Sequence, residues 1–407
     1  MSSDFVPRLR AMAGVVVRIG LNLQPGQPLL VTDPYELLGV HPEALPLAEA
    51  VREIAGPNVA VLSVDPGRLR ALAEGGDLAG FETLVANHTA RLRQHLARGG
   101  AFLFLTGSQP GLFAGLPSAR LGDLDRIKWR HLGPVIQQLI RGASQWTLAP
   151  APTTPWANAA YPDLPEGDRL PALWRTVFEA FKIDALSVGG SLPPDSEPSA
   201  RKAPPTVDPV AAWELHLAAL ARRRDELNAA RHRTVRYVGR DTDLRLALPR
   251  SHRWCTAQLA TKRGVSFVVN LPTEEIFTAP HHGSAEGRVR VARPVVHAGS
   301  VIEGITLEFI GGRVVAAHAT TGHDLLQQLL RTDGGARRLG EVALVPGRNR
   351  LNLAGRLFHH TILDENACNH IALGDAYRFC SSAWIPLALN SSQVHLDLPL
   401  EAAVELG

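Results

Sequence analysis

Residues 101–108, AFLFLTGS, form an apolar run that ends in a turn signal, and this pattern predicts a buried β-strand. Two similar runs precede it, PLLVTDP at 28–34 and NVAVLSVD at 58–65. Helix-forming stretches separate the runs, namely PLAEAVREIA at 46–55 and FETLVANHTARLRQHLARG at 81–99. Strands that alternate with helices are typical of a parallel sheet covered by helices. The pattern therefore predicts an α/β fold, built as a three-layer domain, for the N-terminal part of the chain.

The texture of the sequence changes near residue 231, after which short strand-like runs dominate. Between two of these runs, the pair Gly311-Gly312 predicts a hairpin turn. Just before the change, a long amphipathic helix is predicted to begin with Asp208 as its N-cap and Pro209 in its first turn. We therefore expect an α+β arrangement, rich in antiparallel strands, for the rest of the chain.

A chain of 407 residues is long for a single hydrophobic core, so we predict two domains. The first is the α/β domain, at residues 1–230, and the second is the α+β domain, at residues 231–407. Within the first, the segment at 185–206 is rich in Pro, Ser and Gly, which predicts a linker or an exposed insertion.

Composition and charge exclude several classes of protein. A formal net charge of +3 is too small to indicate nucleic-acid binding. No run reaches the roughly 18 apolar residues that a membrane-spanning helix needs. The cysteines, Cys255, Cys368 and Cys380, are odd in number and form no CxxC pair, which argues against a disulfide framework and a structural zinc site. A reduced cytoplasmic protein is the simplest interpretation.

Acidic residues and histidines in the last third of the chain are the candidates for chemistry. They lie in four short segments: NLPTEEIFTAP, RRLGEVALVP, LDENACNH and VHLD. Together the segments supply four carboxylates and two imidazoles, which are Glu275, Glu341, Glu365, Asp397, His370 and His395. Four negative charges match two divalent cations, and without cations buried carboxylates would repel each other. Paired cations activate water for hydrolysis, so the set predicts a metallohydrolase.

Spacing supports some of these candidates and leaves alternatives open. If VHLD is a strand, His395 and Asp397 share one face and can both reach one metal. Taken alone, the common pattern His-x-Asp favours the alternative, a surface strand with outward-facing polar residues. Glu341 interrupts an apolar run, where a carboxylate is costly unless it is paired or bound to metal. Its alternative is a helix-to-strand junction in contact with water. In the pair Glu274-Glu275 only one side chain can face a site, and nothing local decides which.

A helix is predicted to begin near His370. Glu365 and His370 are separated by about 140° on a helix, so we expect a turn between them. His370 and Tyr377 are seven positions apart, a spacing that places both side chains on the same face of a helix. Tyr377 could therefore lie next to the site. The alternative for Tyr377 is core packing with a satisfied hydroxyl group.

Longer strings in the sequence resemble a known family, the aminopeptidase T and aminopeptidase S family of dinuclear metallopeptidases. The resemblance begins at VRIGLNLQPGQ, continues through WTLAP, PWANAAYPDLP and DPVAAWE, and is densest in the strings NLPTEEIFTAP, TDGGARRLGEVALVP and DENACNHIALGDAY. It implies an α/β domain followed by a metal-binding domain around an enclosed cavity. It also implies cytoplasmic homodimers that remove N-terminal residues from peptides with zinc, cobalt or magnesium.

The resemblance assigns roles to residues of this chain. The metal ligands implied are Glu275, Glu341, Glu365, His370, His395 and Asp397, so within TEE it selects Glu275. Tyr377 matches a tyrosine at the family's metal site, and Glu275, Glu341 and Tyr377 are the candidates for catalysis.

Two departures from the family shape the alternatives. The segment between Tyr377 and His395, RFCSSAWIPLALNSSQV, is apolar where the family is usually polar and glycine-rich. The chain ends ten residues after Asp397, with Pro399 in place of the family's apolar-Gly continuation, at a point where the family adds a further β-hairpin. Whether the C-terminal sheet closes is therefore an open question. This departure makes a catalytically impaired relative that binds peptides or metals the second hypothesis. A metal-dependent hydrolase with a non-peptide substrate is the third.

Overall fold

The structure, a computed structural model, describes residues 4–107, 109–183, 208–297, 300–346, 349–383 and 387–407. The helices in chain order are α1 Phe5–Val15, α2 Leu45–Ala55, α3 Pro66–Gly75, α4 Leu78–Ala97, α5 Ser118–Ile140, α6 Thr154–Ala160, α7 Glu166–Ala180, α8 Pro209–Ala230, α9 His323–Leu329, α10 Arg350–Leu353 and α11 Thr361–Glu365. The first strands are β1 Leu29–Thr32, β2 Val59–Val61, β3 Ala101–Thr106 and β4 Trp146–Pro150.

The remaining strands follow α8. They are β5 Thr234–Gly239, β6 Thr242–Ala247, β7 Gln258–Ala260, β8 Ser266–Val268, β9 Ile276–Thr278, β10 Glu286–Arg290, β11 Val295–His297, β12 Ser300–Ile302, β13 Thr306–Ile310, β14 Arg313–His318, β15 Leu339–Leu344, β16 His370–Gly374, β17 His395–Pro399 and β18 Ala402–Leu406.

The N-terminal sheet is parallel and has the strand order β2-β1-β3-β4. Side chains of β3 alternate between its two faces, since Leu103 and Leu105 belong to one apolar cluster and Phe102 and Phe104 to another. Helices α1, α2 and α7 contribute to the first cluster, and α4 and α5 to the second. Helices therefore cover both faces, which confirms the three-layer α/β arrangement.

The C-terminal region is built from antiparallel sheets. One has six strands in the order β14-β13-β10-β6-β5-β18, and another has four in the order β17-β16-β15-β9. An apolar core lies between them, with Tyr237 and Phe309 from the larger sheet and Ile371 and Leu396 from the smaller. Because this face of the smaller sheet is apolar, its other face is free to carry polar side chains.

Local predictions about turns and caps are confirmed. Asp208 accepts a hydrogen bond from the backbone N–H of Val210 at the start of α8. Gly311 and Gly312 both have positive φ, 57° and 75°, between β13 and β14, as a two-residue hairpin turn requires. All three cysteines are free. No helix within the described ranges is long and apolar enough to cross a membrane.

The altered C-terminus still supplies a final strand to the larger C-terminal sheet. Strand β18 pairs along its whole length with β5 and forms an edge of the six-stranded sheet. Pro399 is accommodated as the last residue of β17, where the chain passes from one sheet to the other. The insertion predicted at 185–206 lies outside the described residues, and the boundary at residue 230 stays a prediction.

Candidate metal centre

Three strands of the four-stranded sheet present polar side chains on the same face. On β17, His395 and Asp397 alternate with Leu396 and Leu398, which face the apolar core. The pattern confirms that VHLD is a strand, as i and i+2 spacing required. On β16, His370 precedes the core residue Ile371 in the same alternation.

Glu341 reaches this face because of a β-bulge. The register shifts between Leu339 and Glu341 where β15 pairs with β16. Both Leu339 and Val342 therefore face the apolar core, while Glu341 faces the other side. Gly340 is required at the bulge, since an added Cβ would lie 2.2 Å from the carbonyl oxygen of Asp375. Glu341 lies on a buried strand and not at a junction open to water.

A small residue separates two of the carboxylates. Across the sheet, Glu341 is opposite Ala372, and Ala372 is opposite Asp397. Since alanine has only a methyl group, it fills little of the space above β16 between the two carboxylates. This is the position in which a cation could contact both.

The imidazoles lie within reach of the carboxylates. His370 Nε2 is 3.2 Å from Glu275 Oε2 and 3.6 Å from Glu341 Oε1. His395 Nε2 is 3.3 Å from Asp397 Oδ1 and 3.9 Å from Glu341 Oε2. Glu341 thus bridges the two imidazoles with its two oxygens.

Glu275, Glu341 and His370 offer ligand atoms that all lie within 4.8 Å of one another. All three are buried. A compact buried set of oxygen and nitrogen donors is the kind of site that binds a divalent cation.

The structure separates the two residues of the Glu274-Glu275 pair. Glu275 faces His370, whereas Glu274 Oε1 is 3.4 Å from Lys182 Nζ and its Oε2 is 3.6 Å from His216 Nε2. Glu274 therefore anchors the segment to α8 and to the end of α7. Consecutive residues on an extended backbone point to opposite sides, which explains the division.

Glu365 ends α11 and completes the group from another direction. Its side chain is buried and close enough to Asp397 to share a hydrogen bond. Burial, followed by the charges of Asp397 and Glu275, raises the pKa of Glu365 well above its usual value. Burial also raises the pKa of Glu341, although His370 acts in the opposite direction. The negative charges of the carboxylates therefore disfavour one another.

Both histidines turn Nε2 towards the carboxylates and Nδ1 away from them. Nδ1 of His395 is 3.0 Å from the carbonyl oxygen of Asp375, and Nδ1 of His370 is 3.4 Å from that of Cys368. A backbone acceptor at Nδ1 holds the proton there and leaves Nε2 free to bind a cation, which is usual for metal-ligating histidines.

The carboxylates hold protons on both imidazoles when no cation is present. Burial opposes a charge on His370, but Glu275 and Glu341 outweigh it and raise the pKa of His370 well above its usual value. Burial is likewise outweighed at His395, whose pKa Asp397 raises to about 10. Burial would raise the pKa of Asp397, but His395 lowers it to about 2. The carboxylates around these two histidines therefore stabilise positive charge strongly, and divalent cations would supply such charge.

Tyr377 approaches the site by a route that the sequence did not predict. His370 begins strand β16 and not a helix, so the predicted shared helix face is wrong. Tyr377 instead follows the end of β16, and its ring centroid is 5.2 Å from that of His395. Burial and the charges of Glu341 and Asp397 raise the pKa of Tyr377 well above its usual value, so its hydroxyl group keeps its proton.

Neighbouring polar residues support the site and were not singled out in the sequence. The Tyr237 hydroxyl group donates to the carbonyl oxygen of His370 at 3.1 Å. The side-chain amide nitrogens of Asn270 and Asn366 each lie 3.4 Å from Glu365 Oε1. Asn366 stands inside the string DENACNH, and its direct contact with the acidic residues could not be read from a sequence without its fold.

The buried donors are those of a candidate site for divalent cations, and comparison with known proteins identifies the class of protein. The family model described as thermophilic metalloprotease (M29) matches residues 5–187 and 203–404. The chain belongs to this family. It is therefore a hydrolase of a family that depends on metal.

Individual relatives extend over nearly the whole chain. Aminopeptidase T of Thermus thermophilus is 35% identical over 399 residues, which cover 97% of this chain and 92% of the relative. Aminopeptidase AmpS of Bacillus subtilis is 30% identical over 406 residues, with the same coverage. The solved structure of wild-type AmpT from Thermus thermophilus superposes with a TM-score of 0.85 at 32% identity, and covers 99% of this chain and 95% of that one.

Proposed function

We propose that this protein is an aminopeptidase that hydrolyses N-terminal peptide bonds with water activated at a two-metal site. The observation that carries the proposal is the convergence of buried carboxylates and inward-facing imidazole nitrogens on one sheet face. The similarity to proteins named aminopeptidase T and aminopeptidase AmpS supports the choice of reaction.

The proposed ligands divide by the contacts they make. The first group, Glu275, Glu341 and His370, is the compact triad. Asp397 and His395 lie on the opposite side of Glu341, and Glu365 approaches from α11. Glu341 is proposed as the shared ligand, since each of its oxygens faces a different imidazole. We propose zinc, cobalt or magnesium as the ions because the family resemblance implies them, and oxygen and imidazole-nitrogen donors suit divalent cations of this kind.

When bound, divalent cations supply activation of water and polarisation of the scissile carbonyl group. The chain's own residues then move protons and stabilise charge. A carboxylate that keeps a free oxygen takes the proton from water and passes it to the leaving amine, and Glu275 and Glu365 are the candidates. The protonated hydroxyl group of Tyr377 donates a hydrogen bond to the oxyanion that develops on the scissile carbonyl.

The adjacent glutamates offer a matched test of this proposal. Glu275→Gln removes the charge that faces His370, and we expect chelator-sensitive release of amino acids from a short peptide to fall at least about 100-fold. Glu274→Gln removes the charge that faces Lys182, and we expect release within about twofold of the unmodified protein, since its side chain points away from that of Glu275 and its ion-pair partners, Lys182 and His216, are not proposed ligands.

Equal losses in the two variants would contradict the proposed division of roles. Release of free amino acid that survives complete metal removal in the unmodified protein would contradict the proposed function itself.

A homodimer in the cytoplasm, with peptides as substrates, completes the proposal and follows from the family resemblance. Light scattering on the purified protein measures its oligomeric state. The second hypothesis, a catalytically impaired relative, was motivated by the altered C-terminus. Because β18 is present and fully paired, nothing in the fold favours that hypothesis over catalysis.

A further inference from the structure

Asn366 is a buried amide between two of the acidic segments. Its side chain is fully buried, and every polar atom of it has a partner. Oδ1 accepts a hydrogen bond from the backbone N–H of Glu274 at 2.6 Å. Nδ2 donates to the carbonyl oxygen of Ile362 at 2.8 Å and lies 3.4 Å from Glu365 Oε1. One amide group thus contacts both the segment that leads to Glu275 and the end of α11.

These contacts join segments that are distant in the chain. Ninety positions separate Glu275 from Glu365, and the two charges repel each other. The hydrogen bond to the N–H of Glu274 fixes the peptide group between Thr273 and Glu274, one residue before Glu275. Asn366 is itself held by Asn349, whose Nδ2 donates to the backbone carbonyl oxygen of Asn366 at 2.9 Å.

The chemistry of the side chain fits this position. An amide has a donor and an acceptor and carries no charge, so it can serve an N–H group and a carboxylate at once. Aspartate would have the same size but would add a further negative charge beside Glu365 and lose the donor. An apolar residue would leave the buried N–H of Glu274 without an acceptor.

We propose that Asn366 is a positioning residue that ties the Glu275 segment to the Glu365 helix end, so that both carboxylates face the candidate metal centre. The inference rests on the proposed function, because it assumes that these carboxylates bind metal. It assigns Asn366 no contact with substrate. It predicts that loss of the tie weakens metal binding more than it weakens the fold.

Cobalt titration of metal-free full-length protein, followed by calorimetry, tests the inference. Asn366→Ala removes all three side-chain hydrogen bonds, and we expect the affinity for Co²⁺ to fall about 10- to 100-fold, the usual effect of losing a group that orients a ligand. We also expect peptide hydrolysis to recover partly when excess Co²⁺ is added. Asn366→Ser is the second variant, since its hydroxyl group can bond the carbonyl oxygen of Ile362 but cannot also serve Glu274.

Asn228 provides the matched control. Its amide also pairs with a backbone N–H and a backbone carbonyl group, both of Trp254, at 2.9 and 3.0 Å. No acidic residue of the metal centre is among its hydrogen-bond partners in the described ranges. Asn228→Ala should lower the melting temperature, leave the affinity for Co²⁺ within about twofold, and show no recovery with excess metal.

The outcomes separate the inference from the proposed function. A folded Asn366 variant with the affinity and rate of the unmodified protein would overturn the positioning role. The same conclusion would follow if neither Asn366 variant folded while the Asn228 variant did, because the role would then be purely structural. Unmodified protein that binds Co²⁺ but releases no amino acid would overturn the proposed function, and the affinities would still decide the role of Asn366.

Discussion

Strands β3 and β16 are both completely buried, but they bury opposite kinds of side chain. In β3, residues 101–106 pack apolar groups against helices on both faces. In β16, one face packs Ile371 and Leu373 into the core, while the other carries His370 beneath Glu275 and Glu341.

The two strands differ in what their buried side chains contribute, since those of β3 stabilise the fold and those on the polar face of β16 form the candidate metal centre. Burial of apolar surface stabilises by roughly 25 cal/mol per Å², so β3 is stable without a ligand. Burial of charges costs free energy unless partners neutralise them, so the polar face of β16 needs cations. Substitutions in β3 should therefore alter stability, and substitutions on the polar face of β16 should alter metal binding and turnover.

The largest effect is expected at His395. His395→Ala removes an imidazole from the metal centre, and we expect turnover to fall at least about 100-fold with loss of bound metal, since removing even an indirect supporter costs 10- to 100-fold. The N-terminal sheet shares no contact with this side chain in the described structure, so it should stay folded. Elemental analysis and far-UV circular dichroism check the two halves of the prediction.

The exposed His281 is the control, and His281→Ala should retain metal and activity. An active His395→Ala protein with normal metal content would remove His395 from the site.

A smaller loss is expected at Tyr377. Tyr377→Phe keeps the ring beside His395 but removes the donor proposed for the oxyanion, and we expect kcat to fall about 100-fold with KM and metal content little changed. Tyr161→Phe, which removes a hydroxyl group bonded to Thr176 in the N-terminal region, is the matched control. Equal kcat values in the two variants would show that the Tyr377 hydroxyl group has no part in the reaction.

The two regions should also respond to pH with opposite signs. In the N-terminal region, burial lowers the pKa of His88 to about 4. Because the unfolded chain takes up this proton near pH 6.5, stability is lost as the pH falls from 6.5 to 4, by up to about 3 kcal/mol. Asparagine does not titrate. The free energy of unfolding of His88→Asn, measured with urea, should therefore fall less between pH 6.5 and 4 than that of the unmodified protein. Identical acid profiles would contradict the prediction.

In the metal-free C-terminal region the sign is reversed. The folded protein keeps the proton on His395 up to a pKa of about 10, whereas the unfolded chain releases it near 6.5. The folded state therefore binds more protons in this window, and stability falls as the pH rises through it. Urea unfolding of metal-free protein between pH 6.5 and 10 measures the loss, and a flat or rising profile would contradict it.

The smallest effect is expected at the junction between the two regions. Gly107 has φ +86°, and an added Cβ would lie 2.0 Å from Cδ2 of His360, which stacks on Trp156. Gly107→Ala should destabilise the protein by about 2 kcal/mol without changing metal affinity. Gly75→Ala, in a helix with open space around it, should be neutral or slightly stabilising. A loss of metal affinity in Gly107→Ala would show that this junction shapes the metal centre.

The sequence predicted those features that local patterns determine. The alternation of strands and helices predicted the parallel sheet, and i and i+2 spacing placed His395 and Asp397 on one strand face. The helix predicted at His370 failed because HIALG is equally a buried strand, and tertiary pairing with β15 and β17 decides between the two. The bulge at Gly340 and the tie through Asn366 depend on contacts between distant segments, which no local pattern contains.

The central claim is that the polar face around β16 binds two divalent cations and uses them for peptide hydrolysis. Elemental analysis of purified protein, combined with amino-acid release from a short peptide before and after chelation, tests it most directly. We predict close to two metal ions per chain, loss of release with chelator, and recovery when metal is returned. A protein that stays metal-free after incubation with cobalt or zinc, or that releases amino acids equally without metal, would contradict the account.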